Sequence, residues 1–355
     1  MTVSDTQAPR PRPVGGRPLV SVVVPALNEA PGAAHFLARY REHAAAHPDL
    51  DFELVLVDDG STDGTTESFV AHATPADRLT VVELSRNFGA HYATSAGLAQ
   101  CSGDCAVVMG ADLQEPATLL GDFLDRWRAG YDVVWGVRRV RIDGSRAYQA
   151  GSKAFSALFS RVAKLPNYPA EGPSGVLVDR RVVDQLVGMR ERYRNVYALI
   201  AWLGFSQTRV EFDLAPRLQG KSRWTKRSIA NLAIDSMIQF SSIPLRLCSV
   251  AGLVVAGLGL LYALVLIVRA LAGLSTPSGW PTVMVVVLVL GGVQLVVAGV
   301  MGEYLWRAVE ETRGRPLYVV RSVQRVGPPS PGTTARTADA AALSHPVPSH
   351  PVEAI

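Results

Sequence analysis

Residues 247–268 contain no charged side chain, and neither do residues 281–301, where Gln294 is the notable polar group. Each run is long enough to cross the hydrocarbon core of a bilayer, which takes about 20 apolar residues in a helix. One such run could be the buried helix of a soluble domain. Two of them, joined by the short stretch 275–280, point to a transmembrane hairpin. The basic residues agree: Lys221, Arg223, Lys226, Arg227 and Arg246 precede the first run, and Arg307, Arg313, Arg315 and Arg321 follow the second. Between the runs lies only Arg269, at the first run's end and able to snorkel, so both chain termini are expected in the cytoplasm. Residues 1–18 hold no apolar run of the signal-peptide kind, which agrees with that orientation.

Charged residues still make up 19% of the 355-residue chain, too many for a protein that is all membrane, so a water-soluble domain must precede the hairpin. The formal net charge of +4 suits an anionic membrane surface or phosphorylated substrates, and the basic residues cluster beside the apolar runs. No nucleic-acid partner is expected, and self-association is left open. Cys101, Cys105 and Cys248 lack zinc-site spacing and read as small buried hydrophobes in a reducing compartment. The expected organisation is a disordered tail over 1–18, a globular domain over 19–223, an amphipathic interfacial segment over 224–245, the hairpin over 246–306, a cytoplasmic basic segment over 307–326, and a second disordered tail over 327–355. Within the interfacial segment Ile229, Leu232, Ala233, Met237 and Phe240 recur at helical spacing.

The globular domain alternates short apolar runs with helical patterns. Strands are predicted over 20–24, 52–57, 80–84, 105–109 and 132–135, and helices over 33–43, 65–73, 92–99 and 117–128. That alternation gives an α/β fold with a mainly parallel sheet, in which ligands bind beyond the carboxyl ends of the strands. Four loops fall there: 25–29, 58–63, 85–89 and 110–116.

Those loops hold the chemistry. Pro25-Ala26-Leu27-Asn28-Glu29 follows the first strand and Asp58-Asp59-Gly60-Ser61-Thr62-Asp63-Gly64 the second. Adjacent carboxylates at a strand end are costly unless they bind something, and a carboxylate can accept hydrogen bonds from a nucleobase or ribose. Taken alone, the second string also reads as a turn with Asp63 capping the next helix. Gly110-Ala111-Asp112-Leu113-Gln114-Glu115-Pro116 follows the fourth strand, and a carboxylate so placed can hold a divalent cation against a diphosphate.

In this order, these strings resemble the GT-A glycosyltransferases of family 2. Arg86-Asn87-Phe88-Gly89, Asp112-Leu113-Gln114-Glu115-Pro116, Arg217-Leu218-Gln219-Gly220-Lys221-Ser222-Arg223-Trp224, an amphipathic stretch and two apolar runs narrow the resemblance. They look like the dolichyl-phosphate mannose synthase and bacterial polyprenyl-phosphate glycosyltransferase branch. The resemblance implies a GT-A, Rossmann-like domain over 19–223. Pro25, Asn28, Glu29, Asp58 and Asp59 would line the nucleotide site. Asp112 would be the carboxylate ligand of Mg2+ or Mn2+, and Gln114 would sit beside the donor sugar. Arg138, Ser152, Arg217, Lys221 and Ser222 would hold donor or acceptor phosphates. The implied reaction moves a sugar from a nucleotide-diphosphate sugar to an undecaprenyl or decaprenyl phosphate, with inversion, at the cytoplasmic face of the membrane.

Three features depart from the family's pattern. Many relatives read Asp-x-Asp where this chain has Gly110-Ala111-Asp112. Mannose-type relatives carry Gly-Asp-Phe where it has Glu171-Gly172-Pro173-Ser174-Gly175. His91 occupies a variable position and reads as a helix residue near the donor. Two competing readings remain: a same-fold transferase with a glycan or protein acceptor, and a non-catalytic nucleotide-sugar-binding membrane adaptor.

Overall fold

The structure is a computed structural model that describes residues 16–111, 115–116, 118–139, 168–169, 172–189, 191–192, 194–213, 243–272 and 279–328. The chain divides into two compact units, Met1–Thr225 with Arg315–Ile355, and Lys226–Gly314.

The first unit is built on an eight-stranded sheet. Its strands are β1 (Leu19–Ala26), β2 (Asp51–Asp58), β3 (Leu79–Leu84), β4 (Cys105–Val108), β5 (Val133–Arg138), β6 (Pro173–Asp179), β7 (Gln207–Phe212) and β8 (Val320–Val326). Their spatial order is β7-β5-β6-β4-β1-β2-β3-β8. The centre is parallel, as expected: β1 pairs with β2 and β4, and β2 with β3. The flanks are mixed. β6 runs antiparallel to both β4 and β5, β5 pairs parallel with β7, and β8 lies antiparallel on β3.

The central strands are apolar on both faces because helices cover both. In β1, Val20, Val22, Val23 and Val24 are all buried. The helices of this unit are α1 (Ala33–Ala46), α2 (Thr65–His72), α3 (Ala90–Gln100), α4 (Thr118–Arg128), α5 (Arg180–Gly188) and α6 (Val196–Trp202). On α4, Leu119, Leu120, Phe123, Leu124 and Trp127 share one buried face while Asp122, Asp125 and Arg126 face water. Burying each of those large side chains contributes roughly 1.5–3 kcal/mol. Helix α3 uses small residues to lie close on the sheet. A Cβ on Gly97 would stand 2.4 Å from the Val23 side chain and 3.0 Å from that of Val57. Any larger residue there would lift α3, and the loop feeding it, off the sheet.

The last two residues of the expected N-terminal tail are held by the domain. Arg17 donates to the Leu50 carbonyl at 3.0 Å, and the Pro18 carbonyl accepts from the Asp51 amide at 2.9 Å, so the chain is tied down before β1 begins. Residues 320–326, expected as part of a basic flank, form the edge strand β8.

The second unit contains α7 (Ile243–Leu271) and α8 (Trp280–Thr312), which pack on each other. Both expected apolar runs fall inside these helices. The second helix continues past residue 301 through Glu303, Arg307 and Glu310. Among the described residues one stretch, Val289–Thr312, is long and apolar enough to cross a membrane. The predicted amphipathic helix over 228–240 lies outside the described residues.

Candidate active site

The carboxyl ends of β1, β2, β3, β4 and β5 share one edge of the sheet, and β6 begins there because it runs the other way. The loops after β1 and β2 are interlocked at this edge. Asn28 has a left-handed backbone, φ 52°, a conformation asparagine tolerates better than most residues. Its amide donates to Ser61 Oγ at 2.8 Å, and its side-chain Oδ1 accepts from the Thr62 amide at 2.8 Å. The next two amides continue the lock: Glu29 donates to Thr65 Oγ1 at 2.9 Å and Ala30 to Asp63 Oδ2 at 3.1 Å. Asp63 therefore joins the loops and also accepts from the Thr65 amide and hydroxyl. The N-cap position of α2 is taken by Gly64, so Asp63 stands one residue earlier than a cap.

Asp58 and Asp59 are both buried. Asp58 Oδ1 accepts from the Ser61 amide at 2.7 Å and its Oδ2 from Thr66 Oγ1 at 2.9 Å. Asp59 turns the other way, toward the loop after β3. It accepts from the Phe88 amide at 2.7 Å and from the Gly89 amide at 2.9 Å. Burial pushes the Asp59 carboxyl above its ordinary value; the two amides pull it down and the neighbouring Asp58 raises it further. Between these aspartates and the third loop there is room only for glycine. A Cβ on Gly60 would lie 2.6 Å from both the Arg86 carbonyl carbon and the Asn87 nitrogen, and its φ is +76°. Arg86 caps this arrangement from outside, with its guanidinium 4.0 Å from the centre of the Phe88 ring.

A second cluster lies where β5 and β6 meet this edge. Arg138 Nε donates to Ser174 Oγ at 2.5 Å, so the serine of the divergent 171–175 segment holds the predicted phosphate-binding arginine. The His91 ring meets Tyr197 edge-on with centroids 5.6 Å apart, and Trp135 meets the same tyrosine at 6.2 Å. Trp135 is fixed by its Nε1–H donating to Gln207 Oε1 at 2.8 Å. His91 is half-buried, and desolvation pushes its imidazole down to about 4. Burial raises the Tyr197 phenol, with Tyr168 and Glu115 adding to the rise and Arg138 opposing it.

Of the predicted site residues, the structure brings Pro25, Asn28, Glu29, Asp58 and Asp59 together at one edge, with Arg138 at the end of β5. Asp112, Gln114, Ser152, Arg217, Lys221 and Ser222 lie outside the described residues. Among the described residues no three His, Cys, Asp or Glu side chains converge on a cation position. Sequence reasoning missed Thr65, Thr66, Ser174 and Tyr197. Hydroxyls two and three residues after Asp63 were a usable signal for loop locking; Ser174 and Tyr197 act through tertiary contacts that no local pattern announces.

The mixed, centrally parallel sheet covered by helices on both faces is a GT-A-like α/β fold. The family model for glycosyl transferase family 2 matches residues 21–187. The uncharacterized glycosyltransferase sll0501 of Synechocystis is 37% identical over 302 residues, spanning 85% of this chain and 94% of the relative. The uncharacterized glycosyltransferase YkcC of Bacillus subtilis is 33% identical over 301 residues, 85% of this chain and 93% of its own. The SfII prophage-derived bactoprenol glucosyl transferase of Shigella flexneri is 32% identical over 310 residues, 87% and 99% of the two chains. The chain belongs to glycosyl transferase family 2 and is a glycosyltransferase.

Proposed function

We propose that the protein transfers a sugar from a nucleoside-diphosphate sugar to a polyprenyl phosphate at the cytoplasmic face of a membrane, inverting the anomeric carbon. The observation that carries this reading is the triple loop lock around Asp58 and Asp59, in a chain that matches nearly the full length of a bactoprenol glucosyl transferase. Pro25, Asn28, Glu29, Asp58 and Asp59 line the nucleotide side. The bonds described for Asp58 and Asp59 use one lone pair per carboxylate oxygen, which leaves each oxygen a further acceptor position for ribose or base. Gln114 is assigned to the donor-sugar side by its place in the Asp112–Pro116 string. Arg138, held by Ser174, together with Ser152, Arg217, Lys221 and Ser222, receives phosphate oxygens.

A lipid phosphate is already anionic at neutral pH, so it attacks the anomeric carbon without a protein base. The enzyme's work is then alignment and charge neutralisation. Asp112 and the donor's diphosphate would supply oxygen ligands of the kind Mg2+ or Mn2+ takes, and such a cation would offset the charge growing on the departing nucleoside diphosphate. Membrane residence is supported by the apolar side chains that α7 and α8 leave exposed, among them Leu253 at 75%, Leu271 at 84% and Leu295 at 76%. Exposed aliphatic side chains of this size are stable in lipid and costly in water. A two-span hairpin with both termini cytoplasmic fits the flanking arginines.

The test is to incubate membranes containing the protein with a panel of radiolabelled nucleotide sugars and extract with organic solvent. Label in the lipid fraction, lost in Asp112→Asn and in excess chelator, is the expected result. Label confined to protein or water-soluble glycan would replace the lipid acceptor with the competing one.

A further inference from the structure

The loop from Ser85 to Gly89 is held from two sides. From one side Asp59 accepts the Phe88 and Gly89 amides, and the bare Cα of Gly60 meets the Arg86–Asn87 peptide. From the other side comes β8. The Ser85 amide donates to the Val319 carbonyl at 2.8 Å, and Arg321 Nη2 donates to the Ser85 carbonyl at 3.0 Å. One residue further, Ser322 Oγ donates to Glu83 Oε2 at 2.5 Å. The β3–β8 register shifts between Glu83 and Leu84. A shifted ladder no longer fixes where the next residue leaves the sheet, so Val319 and Arg321 do so by gripping both backbone groups of Ser85.

We infer that β8 is a positioning element of the donor-nucleotide site, acting through Ser85 on the Arg86–Gly89 loop that Asp59 holds. It follows the helical unit in sequence and lies outside the 21–187 segment matched by the family model. The inference rests on reading the strand-end loops as the donor site. The plainer alternative is that β8 only covers the edge of β3, as exposed sheet edges require. An edge cover affects stability. A positioning strand affects nucleotide affinity at unchanged stability.

The experiment uses full-length wild type, Arg321→Ala, Arg321→Lys and Ser322→Ala, titrated with UDP and in parallel with GDP, each with Mn2+. Hydrogen exchange at the Phe88 and Gly89 amides and the thermal midpoint are read on the same samples. Arg321→Ala is expected to weaken binding of the nucleotide that wild type takes by roughly threefold to tenfold. Exchange at both amides should quicken while the midpoint moves by no more than about 2 °C. Arg321→Lys should recover part of the affinity, and Ser322→Ala should show a smaller change in the same direction. Unchanged exchange and affinity in Arg321→Ala overturn the inference, as does an affinity loss that merely follows the midpoint and is not recovered by lysine. A wild-type chain that takes up neither nucleotide overturns the donor-site reading itself, and the inference falls with it.

Discussion

Both ends of the central sheet carry buried carboxylates bonded to backbone amides, and they use them differently. At the amino end, Glu53 accepts from Ser21 Oγ at 2.5 Å, from the Ser102 amide at 2.6 Å and from the Gly103 amide at 3.2 Å, all on one oxygen. Its other oxygen accepts from Ser102 Oγ at 2.6 Å. Arg180 closes the same corner by donating from Nε to the Gly103 carbonyl at 2.7 Å. At the carboxyl end the described bonds to Asp58 and Asp59 are one per oxygen, and the surrounding chain bends through left-handed residues at Asn28, Gly60, Gly64 and Gly89. A carboxylate that gathers four donors in an enclosed corner staples structure. A carboxylate with two donors, on loops shaped to hold it at a strand end, is fitted to meet a ligand.

That contrast can be broken most forcefully at Glu53. Glu53→Ala strands the Ser102 amide, removes the acceptor of the Ser21 and Ser102 hydroxyls, and should lower unfolding free energy by about 3 kcal/mol. Urea denaturation measures it, and turnover per folded molecule should stay near wild type. Gly60→Ala comes next. Its Cβ has nowhere to go, so about 2–3 kcal/mol of strain is expected, and here donor binding should fall with stability because the loop after β3 is displaced. If Gly60→Ala loses stability but keeps donor affinity, the two sheet ends do not differ as argued.

Asp59→Asn sharpens the comparison on a smaller scale. One of the two amides, Phe88 or Gly89, would face an NH2 group, costing about 1–2 kcal/mol. Part of that is offset because Asp59 is ionised against the cost of burial. A titration with the donor nucleotide should show weaker binding, whereas Asn at a purely structural carboxylate would alter stability alone.

At neutral pH the smallest effect is expected at His91, and it grows as the pH falls. Its folded-state value of about 4 lies below the ordinary 6.5, so the unfolded chain binds the extra proton first as the pH falls. The stability contributed by the neutral ring is complete above about 6.5 and is lost between there and about 4. His91→Gln should flatten the acid limb of a stability–pH profile over that interval and leave the neutral limb nearly unchanged. An unaltered acid limb would show that the ring is not desolvated.

Much of the parallel centre was legible because strands covered on both faces read as plain apolar runs: β1, β2 and β3 lie within two residues of their predicted bounds. The flanks were not. β8 reads Val320-Arg321-Ser322-Val323-Gln324-Arg325-Val326, and its arginines look the same whether they border a membrane or point outward from a sheet edge. β6 is itself apolar, but its insertion between β4 and β5 follows from pairing across long sequence separation. At the candidate site, Asn28, Asp58 and Asp59 were legible as residues placed at strand ends. Their locking partners were not, because Thr66 and the Phe88 and Gly89 amides become neighbours only when separate loops fold together.

Glu83 and Ser322 are bonded across 239 residues of chain. During synthesis, β3 must therefore wait with one edge bare until the whole helical unit has left the ribosome. An unpaired strand edge is a template for unwanted pairing, and closing so long a loop is slow. The last described strand to emerge covers β3 with an edge that carries Arg321 and Arg325, so chain arrested within residues 226–314 would leave the edge of β3 itself bare. Such nascent chains are natural clients for chaperones until residue 326 is made.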